Sequence, residues 1–248
     1  MDNFLYIAMN ASRTAELAQQ TNANNLANVN SIGFKAELDY IQSIPVYGPG
    51  HATRVYASND QAGIDLTQGP VLNTGRDLDV VINEQDGWLA VQAEDGSTAF
   101  TRRGDLHIDA NGLVTNGSGD LLLGEGGPIT LPQFESLVIG RDGTLSIRAA
   151  GQSVNTLVAV DRIRMVKLST DNIQRGEDGL FRVRDGIEPI ADASITLTSG
   201  ALEGSNVNSI DAMVRMLEYS RNYETSVKLM KVAEDNDASS ARLMRLNG

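Results

Sequence analysis

The chain has 248 residues, enough for one large domain or two smaller ones with a real core. It contains no cysteine, which excludes disulfides, a thiolate nucleophile and Cys-ligated metals; Trp88 is its only tryptophan, which argues against a stacking platform for sugars or bases. Thirty-two acidic against twenty basic residues leave a formal net charge of −12, the wrong sign for binding nucleic acid or anionic lipid.

The opening Met1-Asp2-Asn3-Phe4 is acidic where a secretory leader would be basic, and its apolar run stops at Met9-Asn10. No cleaved leader is expected, and no run approaches the length of a membrane span. Asp2 or Asn3 is the expected N-cap of a first helix. Small or apolar residues then recur at Ile7, Ala8, Ala11, Ala15 and Ala18, which is helical spacing. Side chains this small permit close helix approach and leave little area for a core, so at about 25 cal/mol per Å² they stabilise a lone subunit only modestly. From Thr21 onward comes an asparagine cluster, Asn22, Asn24, Asn25, Asn28 and Asn30, although asparagine is a mediocre helix former. Gly33 is the expected stop.

Residues 36–74 contain Pro45, Pro49 and Pro70 and show no sustained periodicity, which predicts an extended connector. From Gly75 the punctuation changes. Asp86-Gly87, Asp95-Gly96, Asn111-Gly112, Asn116-Gly117, Asp142-Gly143, Asp178-Gly179 and Asp185-Gly186 are tight-turn dipeptides. The β-prone runs Leu78–Ile82, Leu89–Gln92, Leu157–Val160 and Ile163–Lys167 lie between them. This density of turn signals predicts an antiparallel all-β domain over 75–204, an irregular sandwich or barrel.

Asn208 is the expected N-cap of a second long helix, with Asp211 three residues on in a capping-box arrangement. Ile210, Met213, Val214, Leu217, Ser220, Tyr223, Val227 and Met230 form its predicted apolar face. The predicted fold is therefore α+β. Terminal helical segments, 1–35 and 205–248, pair as a coiled-coil-like assembly domain around the inserted β domain. Neither helix can bury its stripe alone, so each must find the other or a neighbouring subunit.

Catalysis finds little support. His51 and His107 are far apart, and nothing suggests that they meet. Asp77 with Asp79, and Asp105 with Asp109, would share strand faces by spacing, but paired glycosidase carboxylates sit in clefts rich in aromatics. The run from Asp109 through Asn111-Gly112 to Asp120 has its glycine misplaced for a calcium loop. No cofactor and no metal site is expected.

Four ordered stretches carry a resemblance that spans the chain. Ala23-Asn24-Asn25-Leu26-Ala27-Asn28-Val29-Asn30-Ser31-Ile32-Gly33-Phe34-Lys35 resembles the N-terminal signature of bacterial flagellar rod and hook proteins. Gly75–Ile82 through Gly87-Trp88-Leu89, then Phe100–Asp105 with Asp109–Gly112, are similar to that family's entry into its β domain and the hairpin after it. Gly200–Asn208, followed by Met213 and Arg221-Asn222-Tyr223-Glu224, resembles its C-terminal motif. Ser31-Ile32 departs from the small polar residues frequent there. Length separates the chain from the longer hook protein and from shorter rod proteins without a sizeable β domain. The opening Met1–Met9 looks more like the proximal rod members than the distal ones.

The resemblance implies a structural, non-enzymatic rod subunit of the flagellar basal body. It implies export through the flagellar type III apparatus without leader cleavage, and polymerisation with itself and other rod proteins into a helical tube across the periplasm, inside the basal-body rings. Such a tube carries motor torque to the hook. The assembly-interface candidates are Ala11, Ala15, Ala18, Asn22, Asn25, Leu26, Asn28 and Phe34 at the N-terminal end. At the C-terminal end they are Met213, Leu217, Arg221, Tyr223, Glu224, Val227 and Met230. The asparagines are expected either to set register across subunits, as a buried asparagine does in coiled coils, or to cap and turn the chain within one subunit. The alternative from another class is a secreted β-rich adhesin or fibre subunit.

Overall fold

The computed structural model describes residues 2–45, 55–149, 157–169, 172–184 and 186–246; His51 and Asp185 lie outside them. The chain separates into two compact units, one of residues 1–29, 36–65 and 207–248, the other of residues 30–35 and 66–206.

The first unit holds both helices, α1 (Asp2–Ala27) and α2 (Ser209–Leu246), with strands β1 (Glu37–Pro45) and β2 (Val55–Ile64). β1 and β2 pair antiparallel from Glu37 opposite Ile64 to Pro45 opposite Val55, with an irregularity between Tyr40 and Gln42. Much of the segment expected to be an extended connector is thus a hairpin. Its strands were hidden because Gln42, Ser43, Asn59, Asp60 and Gln61 break any apolar alternation. α1 buries Ala8, Ser12, Ala15, Ala18, Asn22 and Asn25, a stripe stepping by three and four residues. It runs antiparallel to α2. The Asn22 amide donates to the carbonyl of Ala212 at 2.7 Å, while Ala11 and Ala15 line a groove with Tyr219 and Ser226. Asn208 caps α2 as expected, its Oδ1 accepting from the amides of Ile210 (3.0 Å) and Asp211 (3.3 Å). At 1.5 Å per residue α2 is roughly 57 Å long and α1 roughly 39 Å. α2 outruns its partner, and Glu234–Ser239 is exposed at every position.

The second unit is the β body. Its strands are β3 (Val71–Asn73), β4 (Val80–Ile82), β5 (Gly87–Gln92), β6 (Thr98–Thr101), β7 (Leu106–Ile108), β8 (Val114–Asn116) and β9 (Leu121–Leu122). β10 (Phe134–Ile139), β11 (Thr144–Ala149), β12 (Val158–Arg162), β13 (Met165–Lys167), β14 (Ile173–Arg175), β15 (Phe181–Val183), β16 (Leu197–Ser199) and β17 (Ala201–Glu203) follow. The main sheet runs β14-β15-β6-β5-β9-β8-β7, with β13 joined to β5; β10-β11-β12 form a separate sheet, and β16-β4 and β17-β3 are two-stranded. Described strand pairs are antiparallel, and they form no closed barrel. One continuous core holds the sheets, drawn from Val80, Leu89, Val91, Leu122, Leu145, Ile163, Met165 and Leu197 among others. β5 is buried almost throughout, which explains its near-continuous apolar sequence.

Candidate assembly surfaces and a buried clasp

The interface candidates divide by face. Ala15, Ala18, Asn22 and Asn25 are buried within their own unit, Leu26, Asn28, Phe34 and Met230 are half-buried, and Ala11 is exposed. On α2, Met213, Leu217, Arg221, Tyr223, Glu224 and Val227 are exposed. Most of the stripe read as the apolar face of α2 is therefore exposed, with Ser220 and Met230 half-buried. The positions that meet α1 include Ala212 and Ser226, which are small and, in the second case, polar. Close approach of two helices selects side-chain size over hydrophobicity, and periodicity of apolar residues cannot detect that. What remains outside is a run of Ile210 (73% exposed), Met213, Val214 and Leu217 (61%), which nothing among the described residues covers. On this helix Arg215 pairs with Asp211 (2.8 Å). Arg221 and Glu224 are exposed.

The buried asparagines make hydrogen bonds within their own chain. Asn25 makes a two-way bond with the backbone of Glu37, donating to its carbonyl (2.8 Å) and accepting from its amide (2.9 Å). Asn22 holds α2, and Asn28 bonds back to Asn24. Asparagine suits this task because one amide group satisfies both a donor and an acceptor.

The carboxylate pairs are otherwise engaged. Asp79 is buried and bound by Arg76 and by the Thr74 hydroxyl (2.6 Å), whereas Asp77 is exposed. Arg103 holds Asp105 at 2.7 Å, and Asp109 receives the Asn111 amide in its own turn. His107 is exposed, with Nδ1 3.3 Å from Arg76.

The motifs also hide a cluster that was not among the candidates. Lys35, Arg102 and Glu203 are all buried, their side chains at most 1% exposed. Glu203 Oε1 accepts from Lys35 Nζ at 2.6 Å and from the amide of Gly69 at 3.1 Å; Oε2 accepts from Arg102 Nε at 3.0 Å. Two cations face one anion. Backbone carbonyls take up the surplus: Lys35 also donates to Thr67, and Arg102 Nη1 to Glu84 and Gly87. Without them the unbalanced charge would be prohibitive in a low-dielectric interior.

A stack of rings closes the other side of this segment. The Arg175 guanidinium lies 4.4 Å from the Phe34 ring centroid and 4.9 Å from that of Phe181. Phe181 in turn packs on Trp88 at 4.6 Å. Arg175 also donates to the carbonyl of Lys35. Gly33, Phe34 and Lys35 are thereby clasped from both flanks, and Gly33 donates its amide to the Glu203 carbonyl at 2.7 Å. The available signal was three charged residues inside otherwise characteristic motifs; their pairing across 168 and 101 residues was not readable.

Comparison with known proteins matches residues 83–147 to the flagellar hook protein FlgE/F/G D1 domain and residues 198–243 to the C-terminal region of the flagellar basal body rod FlgEFG proteins. Over its whole length the chain is 38% identical to the flagellar basal-body rod protein FlgF of Salmonella typhimurium, all of which is covered. The chain belongs to the flagellar basal-body rod protein family. FlgF of Escherichia coli is 37% identical over the full length of both chains, whereas FlgG of Bacillus subtilis is 26% identical over 93% of this chain and 95% of its own. Membership makes the chain a structural subunit of the basal-body rod, and the adhesin alternative is not favoured. The two matched regions fall on β5–β11 and on β17 with most of α2.

Proposed function

We propose that the chain is a proximal rod subunit that polymerises head to tail into a helical tube and passes motor torque toward the hook, with no catalytic role. In this reading the unit of 1–29, 36–65 and 207–248 makes the tube. The β body of 66–206 forms an outer layer. Head-to-tail contacts that do not close into a ring generate helical filaments, and each subunit then leaves a surface unsatisfied until its neighbour arrives. The observation carrying this reading is the uncovered apolar run on α2, from Ile210 through Met213 and Val214 to Leu217. Scattered exposed apolar residues are ordinary, but a contiguous row along one helix marks an interaction surface. Tyr223 and Val227 continue it, with Arg221 and Glu224 as flanking charges. Ala11 lies at the groove of about 410 Å³ between the helices, where a neighbour's side chain fits.

The partners in this reading are further copies, other rod proteins, the flagellar export apparatus before assembly and the surrounding rings after it. The site of work in this reading is the periplasmic part of the basal body. No helix among the described residues is long and apolar enough to cross a membrane.

Leu217→Glu tests the interface. Because Leu217 is exposed in the monomer, its substitution changes folding stability by no more than about 0.5 kcal/mol. Sedimentation and negative-stain microscopy on concentrating the protein are expected to show polymers for the wild type and none for the variant, with matching circular dichroism. A variant that polymerises like the wild type removes this face from the assembly.

A further inference from the structure

The β body is entered at Asn30 and left at Lys35, then entered again at Leu66 and left at Asn206. Within the body these ends are gathered at one place. Lys35 donates to Thr67 and to Glu203, the Asn206 side chain donates to Thr67 at 3.2 Å, and Gly33 donates to the Glu203 carbonyl. From there β3 and β17 run away side by side, Val71 opposite Glu203 and Asn73 opposite Ala201. A force drawing residue 66 from residue 206 therefore loads an antiparallel pair from one end. Its hydrogen bonds then break one after another rather than together, which is the weak direction of a β ladder.

Apolar burial secures β17, whose Ala201 and Leu202 are buried, but does little for β3, where Val71 and Leu72 are 52% and 57% exposed. The bonds at its mouth are Gly204 N–H to the Pro70 carbonyl (2.8 Å) and Gly69 N–H to Glu203 Oε1. The charged cluster sits on the second of them. Opening the mouth drags Glu203 from both Lys35 and Arg102, leaving charges stranded in the interior. Buried ion clusters add little to stability compared with apolar packing, yet separating their members is costly. That is the property a joint under load requires. We propose that Lys35, Glu203 and Arg102 form a mechanical clamp at the mouth of the β3–β17 pair, making this cluster the load-bearing joint of the subunit. The proposal rests on the reading of the chain as a torque-carrying rod protein.

Lys35→Met leaves a neutral Arg102–Glu203 pair and so preserves the fold. In full-length protein, native-state hydrogen exchange is expected to accelerate at least tenfold at the amides of Gly69 and Gly204, with Val91 and Leu145 in the core unchanged. Lys35→Arg keeps the charge and restores protection, while Glu203→Gln, which strands two cations, gives a larger change at the same amides. Unchanged exchange at Gly69 and Gly204, or an equal acceleration at every amide, overturns the clamp. In cells, the Lys35→Met strain is expected to swim normally in dilute medium and to fail as viscosity rises. Swimming equal to the wild type at every viscosity overturns the clamp alone, whereas a deletion strain that still swims overturns the rod reading itself.

Discussion

Gly33 has φ of 67°, and a Cβ built there would lie 2.5 Å from the carbonyl carbon of Arg102. Left-handed backbone and a backbone wall together admit only glycine. Gly33→Ala is expected to cost at least about 2 kcal/mol in urea unfolding, against the few tenths typical of an exposed site. A loss below about 0.5 kcal/mol would show that the segment lifts off the body without penalty. The sequence marked Gly33 as the stop of the first helix, but α1 ends at Ala27, and the glycine's close approach to Arg102 was not legible. Turn chemistry was legible in the same local way: the Asp142-Gly143 dipeptide forms its tight turn, with Gly143 at φ 83°. Local backbone rules act over a few residues, whereas the Lys35–Glu203 pairing depends on how distant strands meet. At Asp192, bonds from the Ser194 amide and hydroxyl, with help from Lys167, hold the carboxyl well below its ordinary range, at about 2. A depressed folded value means that the contribution is present above about pH 4 and is lost as the pH falls through about 2. Titration followed by NMR is expected to give Asp192 a midpoint near 2, and Ser194→Ala is expected to raise it toward the ordinary aspartate value of 3.8.

At the scale of elements, both helices and the β character of the body were readable, because caps, turns and alternation are local; the runs named in the body fall on β4, β5, β12 and β13. α2 begins at Ser209, as the Asn208 cap predicts, and continues to Leu246, the last described residue, with no glycine or proline inside it. The identity of the face packed against α1 was not readable. A hydrophobic stripe tells which side of a helix avoids water, not whether its own chain or a neighbour covers it, and here Ala15 and Ala18 selected the small residues opposite. The hairpin β1–β2 escaped for a related reason: its links to α1 include polar bonds from Asn25 to the Glu37 backbone, from Thr21 to Asp39 and from the Ala57 amide to Asn10. Asn25→Leu removes both bonds to the Glu37 backbone and leaves a donor and an acceptor unmet in a half-buried site. The expected loss is about 2–3 kcal/mol in the first unit, measured as earlier thermal unfolding of helix signal. If helix melting in Asn25→Leu matches the wild type, the asparagine has its role between subunits instead of within one.

At the scale of the whole molecule, the division into two units has a thermodynamic consequence. The β body buries large side chains, among them Trp88, Leu89, Ile82 and Met165, at 2% exposure or less. The helical unit buries chiefly Ala8, Ser12, Ala15, Ala18, Asn22 and Asn25, while exposing Ile210, Met213, Leu217 and Val232. At about 25 cal/mol per Å² the first kind of burial stabilises a chain and the second barely offsets the entropy of ordering it. Calorimetry on dilute protein is therefore expected to show two transitions: an early one carrying the helix signal, and a later one carrying the fluorescence of Trp88. Raising the protein concentration should move the early transition upward, because neighbours that bind only the folded helical unit stabilise it by mass action. The body has no such dependence and should melt at one temperature throughout. A single cooperative transition, coincident for helix signal and Trp88 fluorescence at every concentration, would mean that the helices hold themselves together and need no neighbour to complete them.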